Sequence, residues 1–486
     1  IAGRVKEEQF QGLLDEYSSV GVLSPAVVVS STDKTARVFV RARGFAQIAW
    51  DGLSWARKED GPAPKSVAEI MVPGDVVYVV TDGKGVAQLA QVPEAQSALV
   101  SMNPNDGSVI ALVGGFDYFT NKYNRVTQAK RQPGSGFKPF LYSAALENGF
   151  TPASVIMDAP IVQEGDETSW RPKNDGGGFN GPTRLREALY RSRNLVSIRL
   201  LRAMGVEPAI DYITRFGFAK RDLPNNLTLA LGSMQATPLQ LATGFATFAN
   251  GGFKVQPRYI DRIENAAGEV VYRATPKVAC EECELPVELA GYTGAGTKEE
   301  RVAEADALRG GRGVLPPEQY AERVISPQND WLMTDMMMDV IKRGTGVRAR
   351  ALGRSDLAGK TGTTNDSRDL WFNGFTPNLV ATVWVGFDQE RSLGAAEQGA
   401  NTALPIWIHF MREALRGVPE LKRPMPEGLV TLRISPDTGM LASGENPDAI
   451  LETFMTDHLP GGSGPGDEGS GTGGQAGDVA EDKPIF

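Results

Sequence analysis

The chain has 486 residues, 41% of them hydrophobic, and a formal net charge of -9. That length exceeds one ordinary domain and supplies a large core, while the acidic balance argues against nucleic acid, which wants a basic face. No stretch reaches the roughly 18 apolar residues of a membrane span, and the polar run from Ile1 contains no signal peptide, so a soluble piece of a longer protein is expected.

Residues 1–25 read as a linker, with a short helix over 5–18 that places Phe10, Leu13, Leu14 and Tyr17 at helical spacing. From 26 to 92 the pattern is that of strands. Arg37 to Arg43 alternates, Val76 to Val80 follows a Pro73-Gly-Asp turn, and Asp82-Gly83 marks another turn. Several short strands in so few residues predict a small OB-like β-barrel, read as a spacer or protein-docking module.

A hairpin follows, Ala98–Met102 and Val109–Val113 around Asn-Pro-Asn-Asp-Gly. The texture then turns helical from Gly136 to about Phe218 and again over 237–250. Residues 277–325 are irregular and charged and read as an insertion. It holds Cys280 and Cys283, too few ligands for a zinc site even with His409 and His458. A local disulfide is the first reading of the pair and reduced surface thiols the second. The Met-rich run Trp331–Ile341 predicts a core helix. Strands are predicted over 357–364, 370–375 and 379–387, then a C-terminal β extension over 426–455 and a disordered Gly-rich tail over 456–486. Strands, a helical block, and strands that must rejoin the first hairpin describe an α+β fold, an antiparallel sheet with helices on both faces.

Three short motifs carry chemistry. Ser135-Gly-Phe-Lys138 opens a predicted helix, and three-residue spacing stacks the two side chains one turn apart on one face. A lysine there takes the serine proton only if burial or a second cation lowers its pKa. Alone the motif is weak: roughly one or two Ser-x-x-Lys pairs arise by chance in a chain this long, and Ser31-Thr-Asp-Lys34 is such a decoy at a strand turn. Ser192-Arg-Asn194 lies at a helix junction, from which serine and asparagine can both point into one cleft; Ser101-Met-Asn103 is a second decoy, at a strand end. Lys360-Thr361-Gly362-Thr363 lies on a predicted edge strand, where an extended peptide can pair. Gly362 there clears a side chain from the ligand's path, and the hydroxyls of Thr361 and Thr363 with the Lys360 charge suit a carboxylate.

The three motifs together, in this order, are the set of penicillin-binding proteins and class A β-lactamases. Arg131–Pro139, Trp170–Asn174, Leu185–Leu189, Ser192–Leu200, Ala230–Ser233 with Thr237–Ala242, Arg343–Gly346, Lys360–Asp366 and Val383–Gly386 resemble the class A, bifunctional penicillin-binding proteins. The likeness makes 93–425 a transpeptidase domain and the barrel the OB-like module of some members. It implies a peptidoglycan DD-transpeptidase with Ser135 as nucleophile, Lys138 as base, Ser192 as proton relay, Asn194 on the peptide amide, Lys360 sustaining the positive field, and Thr361 and Thr363 on the terminal carboxylate. Backbone N–H groups of Ser135 and Thr363 would form the oxyanion hole. It further implies stem peptides and β-lactams as ligands, no cofactor or metal, and carboxypeptidase activity on the side. The location implied is the periplasmic face of an inner membrane, with an anchor only in the full-length protein, and the barrel could receive a protein activator. No stretch belongs to the glycosyltransferase domain that the family carries upstream. The rival readings are a serine β-lactamase, for which no Glu-x-x-Leu-Asn follows Asn194, and a non-enzymatic β-lactam sensor.

Overall fold

A computed structural model describes residues 9–57, 61–82, 84–161, 170–280, 319–442 and 446–460. The chain divides into two compact units, Ile1–Gln96 with Gly115–Tyr123, and Ser97–Gly114 with Asn124–Phe486.

In the first unit, helix α1 (Phe10–Leu14) precedes a closed barrel of β1 (Ser24–Ser31), β2 (Thr35–Val40), β3 (Gly44–Ala49), β4 (Val76–Thr81) and β5 (Val86–Ala90), in the order β1-β2-β3-β5-β4. β4 closes onto β1, and β3 meets β5 in parallel. Period-two alternation builds the interior: Ala36, Val38 and Val40 of β2 point in and join Ala26, Val28, Ile48 and Val79. Outward-facing Phe39 packs against Phe10 and Phe45. The expected helix over 5–18 is shorter. Only Phe10 and Leu14 find a buried surface, against Val27, while Leu13 and Tyr17 stay exposed. Two anchors and an internal Gly12 support little more than a turn.

The second unit is built on a five-stranded sheet, ordered β14-β15-β16-β6-β7. Its strands are β6 (Gln96–Met102), β7 (Val109–Val113), β14 (Ala358–Thr363), β15 (Asp369–Thr376) and β16 (Leu379–Gly386). β6 with β7, β14 with β15, and β15 with β16 are antiparallel. Every residue of β15 and β16 is buried, because alternate side chains enter two different cores. Trp371, Phe375, Val380 and Trp384 face one; Leu370, Phe372, Ala381 and Val383 face the other.

The first core receives α2 (Lys138–Glu147), α3 (Leu185–Tyr190), α4 (Asn194–Met204), α5 (Val206–Ile213), α6 (Pro238–Ala249) and α7 (Pro327–Lys342). The second is closed by α8 (Ala403–Ala414), whose Trp407 ring meets Phe372. Helices on both sheet faces are the architecture expected. α6 starts at a Thr237/Gln240 capping box with Pro238 in its first turn. The helix read from Trp331 begins four residues earlier, at Pro327, because the Ser326 side chain caps it.

Short strand pairs complete this unit. β8 (Val155–Asp158) and β9 (Gly181–Arg184) interrupt the stretch read as helical up to Phe218. β10 (Phe253–Lys254) pairs with β13 (Glu322–Arg323), and β11 (Arg262–Glu264) with β12 (Val270–Arg273). Ala321 and Ile325 are core residues, so the end of the 277–325 insertion is body of the domain. Cys280 is disulfide-bonded; Cys283 lies outside the described residues. β17 (Leu429–Ile434) and β18 (Ile450–Met455) form the C-terminal hairpin. Residues 461–486 of the expected tail are also outside the described residues. No described helix is long and apolar enough to cross a membrane.

Candidate active site

Helix α2 is buried around its whole circumference from Lys138 to Leu146, as a central core helix must be. Its first residue is a lysine with no solvent exposure, which puts an ammonium where the chain can least solvate it. Ser135 precedes it in a 3-10 turn, Gly134–Phe137, and is 7% exposed. The serine therefore lies just ahead of the α-helix rather than at its cap, and the three-residue spacing to Lys138 is kept.

The second segment is the α3–α4 junction. Ser192 has φ +60, a left-handed conformation that a non-glycine residue holds only under constraint. The bonds Ser192 N–H to Leu189 O and Arg193 N–H to Ala188 O supply it, at 3.1 and 2.8 Å. Asn194 begins α4. Its backbone N–H and that of Leu195 donate to the side-chain oxygen of Asn174, at 2.8 and 3.3 Å. Asn174 thus caps α4 from a distant loop, and its amide nitrogen is anchored on buried Asp158.

The third segment is the edge strand β14. Fully buried Lys360 extends from it to Ser192 Oγ at 2.9 Å. Lys138 Nζ donates to Ser192 O and Asn194 Oδ1, both at 2.7 Å, and to Ser192 Oγ at 3.3 Å. Three segments more than fifty residues apart in sequence thereby converge, with the Ser192 hydroxyl between two amines. Both decoys stay elsewhere. Lys34 donates to Lys65 O and lies over the Trp50 ring, and Ser101 is buried against Val380 O.

Burial, and after it the charge of Lys360, push Lys138 well below the usual lysine range; the carboxylates of Asp175 and Asp158 pull weakly the other way. Burial brings Lys360 down to about 7, against the pull of Asp175. An amine with lowered proton affinity, beside a second one that titrates at about 7, is suited to accept a proton. Ser135 Oγ makes no hydrogen bond among the described residues. Resting geometry of this kind commonly tightens only once a substrate is bound.

Gly362 has a structural reason besides the one the sequence suggests. A Cβ there would lie 2.4 Å from Pro133 O and 3.2 Å from Gly136 N. The residue is bare so that β14 can press against the serine turn itself. The two threonines also differ. Thr361 is 5% exposed and its hydroxyl is shared with Thr345 and Lys360. Thr363 accepts the Gly399 N–H and is only half-buried.

Sequence reasoning missed Asn174, Thr345 and the Arg131–Asp369 ion pair. Arg131 meets Asp369 at 2.7 Å, and Asp369 also accepts from Trp384, which ties the approach to the serine turn to β15. Arg131, Asn174 and Thr345 lie in stretches that resemble the family and Asp369 does not, yet no local pattern reveals what any of them touches.

The sequence matches the family described as the penicillin binding protein transpeptidase domain over residues 97–404, and the penicillin-binding protein OB-like domain over 2–95. Penicillin-binding protein 1A of Pseudomonas aeruginosa is 46% identical over 461 residues, 92% of this chain and 56% of its own length. That of Escherichia coli is 40% identical, over 89% and 56%. This chain therefore spans about half the length of the curated relatives it matches. The crystal structure of penicillin-binding protein 1A from Haemophilus influenzae superposes with a TM-score of 0.79 at 34% identity, covering 94% of this chain and 66% of that one. A Mycobacterium tuberculosis penicillin-binding protein, solved in complex with penicillin V, gives 0.54 at 26% identity, covering 69% and 82%. With the family match extending over most of the chain and the fold agreeing, this chain belongs to the penicillin-binding protein transpeptidase family.

Proposed function

We propose that this chain is a peptidoglycan DD-transpeptidase acting through a serine acyl-enzyme, with Ser135 as nucleophile and β-lactams as covalent inhibitors. The observation that carries the reading is buried Lys138 one turn after Ser135, its proton affinity lowered, bonded to the Ser192 and Asn194 segment that also receives Lys360.

Ser135 Oγ attacks the penultimate D-Ala carbonyl of a stem peptide and its proton passes to neutral Lys138. The oxyanion is met by the N–H groups of Ser135 and Thr363. As the C–N bond breaks, the proton reaches the departing D-Ala amine through the Ser192 hydroxyl, which lies within reach of both lysines. An amine of a neighbouring stem then attacks the acyl carbonyl to form a C–N bond, its proton passing through Lys138 to Ser135 Oγ as the ester C–O bond breaks; water in its place gives a carboxypeptidase side reaction. Asn194 already holds Lys138 and the Lys173 carbonyl, so one amide N–H is left for the peptide among the described residues. Lys360 and Thr363 address the carboxylate. The setting is periplasmic, and the barrel is a docking site for a protein activator.

Incubation with a labelled penicillin should leave one adduct, on the peptide containing Ser135, that persists for many minutes. A stem-peptide donor with an amine acceptor should give a cross-linked product. An adduct elsewhere defeats the reading, turnover within seconds favours a β-lactamase, and slow acylation without product favours a sensor.

All motif residues lie in the second unit. Deleting residues 26–92 is accordingly expected to leave the rate of penicillin acylation within about threefold of the parent, the scatter of effects at independent sites. Loss of labelling by a deletion variant that stays folded would give the barrel a part in the chemistry.

A further inference from the structure

We infer that Thr345 is a positioning residue that joins the Ser192 segment to the Lys360 strand and orients the hydroxyl on which Lys360 rests. The inference depends on the transpeptidase reading and assigns a part to a residue that touches none of the reacting atoms.

Helix α7 ends at Lys342, and the chain turns through Gly344 and Thr345 toward the site. The Thr345 N–H donates to Tyr190 O at 3.2 Å, two residues before Ser192. Its hydroxyl lies 2.6 Å from Thr361 Oγ1. A Cβ on Gly344 would lie 2.4 Å from Tyr190 O and 2.8 Å from Val340 Cα, so the approach needs glycine at that point. One residue thus holds the second motif by its backbone and the third by its side chain.

The orientation of the Thr361 hydroxyl follows from what Lys360 can do. An ammonium only donates. Lys360 Nζ is within 3.0 Å of Thr361 O, 3.4 Å of Thr361 Oγ1 and 2.9 Å of Ser192 Oγ. Thr361 Oγ1 therefore turns a lone pair toward Lys360, and its bond with Thr345 Oγ1, whichever hydroxyl donates, holds it in that orientation. Without that partner the Thr361 hydroxyl is free to turn its proton toward Lys360, in a place only 5% exposed. The charged form of Lys360 is then less well held and loses its proton at lower pH.

The test measures second-order acylation by a labelled penicillin against pH in the whole chain. Thr345→Val, which keeps shape and removes the hydroxyl, should slow acylation about tenfold, the usual weight of one hydrogen bond to a charged network. It should also move the alkaline limb of the profile to lower pH. Thr345→Ser should restore both rate and limb, and Thr345→Ala gives the same readout if valine overpacks. A valine variant that acylates like the parent overturns the inference. So does one slowed equally at every pH and not rescued by serine, which would leave Thr345 a packing residue. The parent serves as the control for the underlying reading, since absence of a Ser135 adduct there condemns the transpeptidase assignment itself.

Discussion

Ser135→Ala is expected to abolish covalent penicillin labelling, and Lys138→Ala to slow it by about 10²–10⁴-fold, the usual contribution of a general base. The two residues act as one unit. Ser135 alone is an ordinary alcohol, and Lys138 alone is a buried amine whose proton affinity is lowered by desolvation and by Lys360. Proton transfer between them is what makes the hydroxyl nucleophilic. Because they act together, the double variant should be no worse than Ser135→Ala. Lys138→Ala should stay folded: it leaves a gap at the helix start but removes an ionisable group from a fully buried place. Ser31→Ala, at the end of β1, and Lys34→Ala, in the turn to β2, should change nothing. Intact-mass measurement separates these outcomes, and a penicillin adduct on Ser135→Ala would remove Ser135 from the mechanism.

Much of this site was legible because its three motifs are local. Ser135 with Lys138, Ser192 with Asn194, and Lys360 to Thr363 each lie within one turn or one strand, where spacing alone says which side chains share a direction. The strands of the sheet were legible for the same reason, through their hydrophobic runs and turn residues. What spacing could not show is contact across the chain. Asn174 caps a helix twenty residues on. Arg186 grips Glu452 of β18 from 266 positions away and meets Asp335 of α7 as well. Buried Ser143 of α2 is bonded to Asn329 of α7. Polar residues such as these carry no periodic signature, since their place is set by the partner they must find when buried.

Two features of the structure carry no local signal. Gly362 reads as space cleared for a ligand, and that a side chain there would also meet the Pro133 carbonyl is visible only in three dimensions. Helical texture masked β8 and β9, because four-residue strands are too short to impose an alternation on their surroundings. Ser326 with Pro327, by contrast, was a readable helix start; the Met-rich run beyond it drew attention away.

Lys360→Ala is expected to lower penicillin acylation at neutral pH by about 10²–10³-fold, the scale on which a preorganised electrostatic donor acts. Two losses combine. The Ser192 hydroxyl loses the ammonium 2.9 Å away, and Lys138 loses the charge that, after burial, most lowers its proton affinity. The pH profile tells these apart from a packing defect. In the parent, acylation needs Lys138 neutral and Lys360 charged, and the second-order rate reports the free enzyme. Lys360 titrates at about 7, so the parent's rate should fall as pH rises through that value. In the alanine variant this alkaline limb should vanish, and the acidic limb should move to higher pH as Lys138 regains part of its ordinary basicity. Stability should change in a matching way. A lysine at about 7 when folded and 10.5 when free binds fewer protons in the folded state between those values. Its burial penalty is therefore felt in full below about 7 and relieved as pH climbs toward 10.5, so parent stability gains a rising component across that window. Lys360→Ala should remove that component. An alanine variant that keeps both the parent's rate profile and its stability slope would mean that the Lys360 charge plays no part in either.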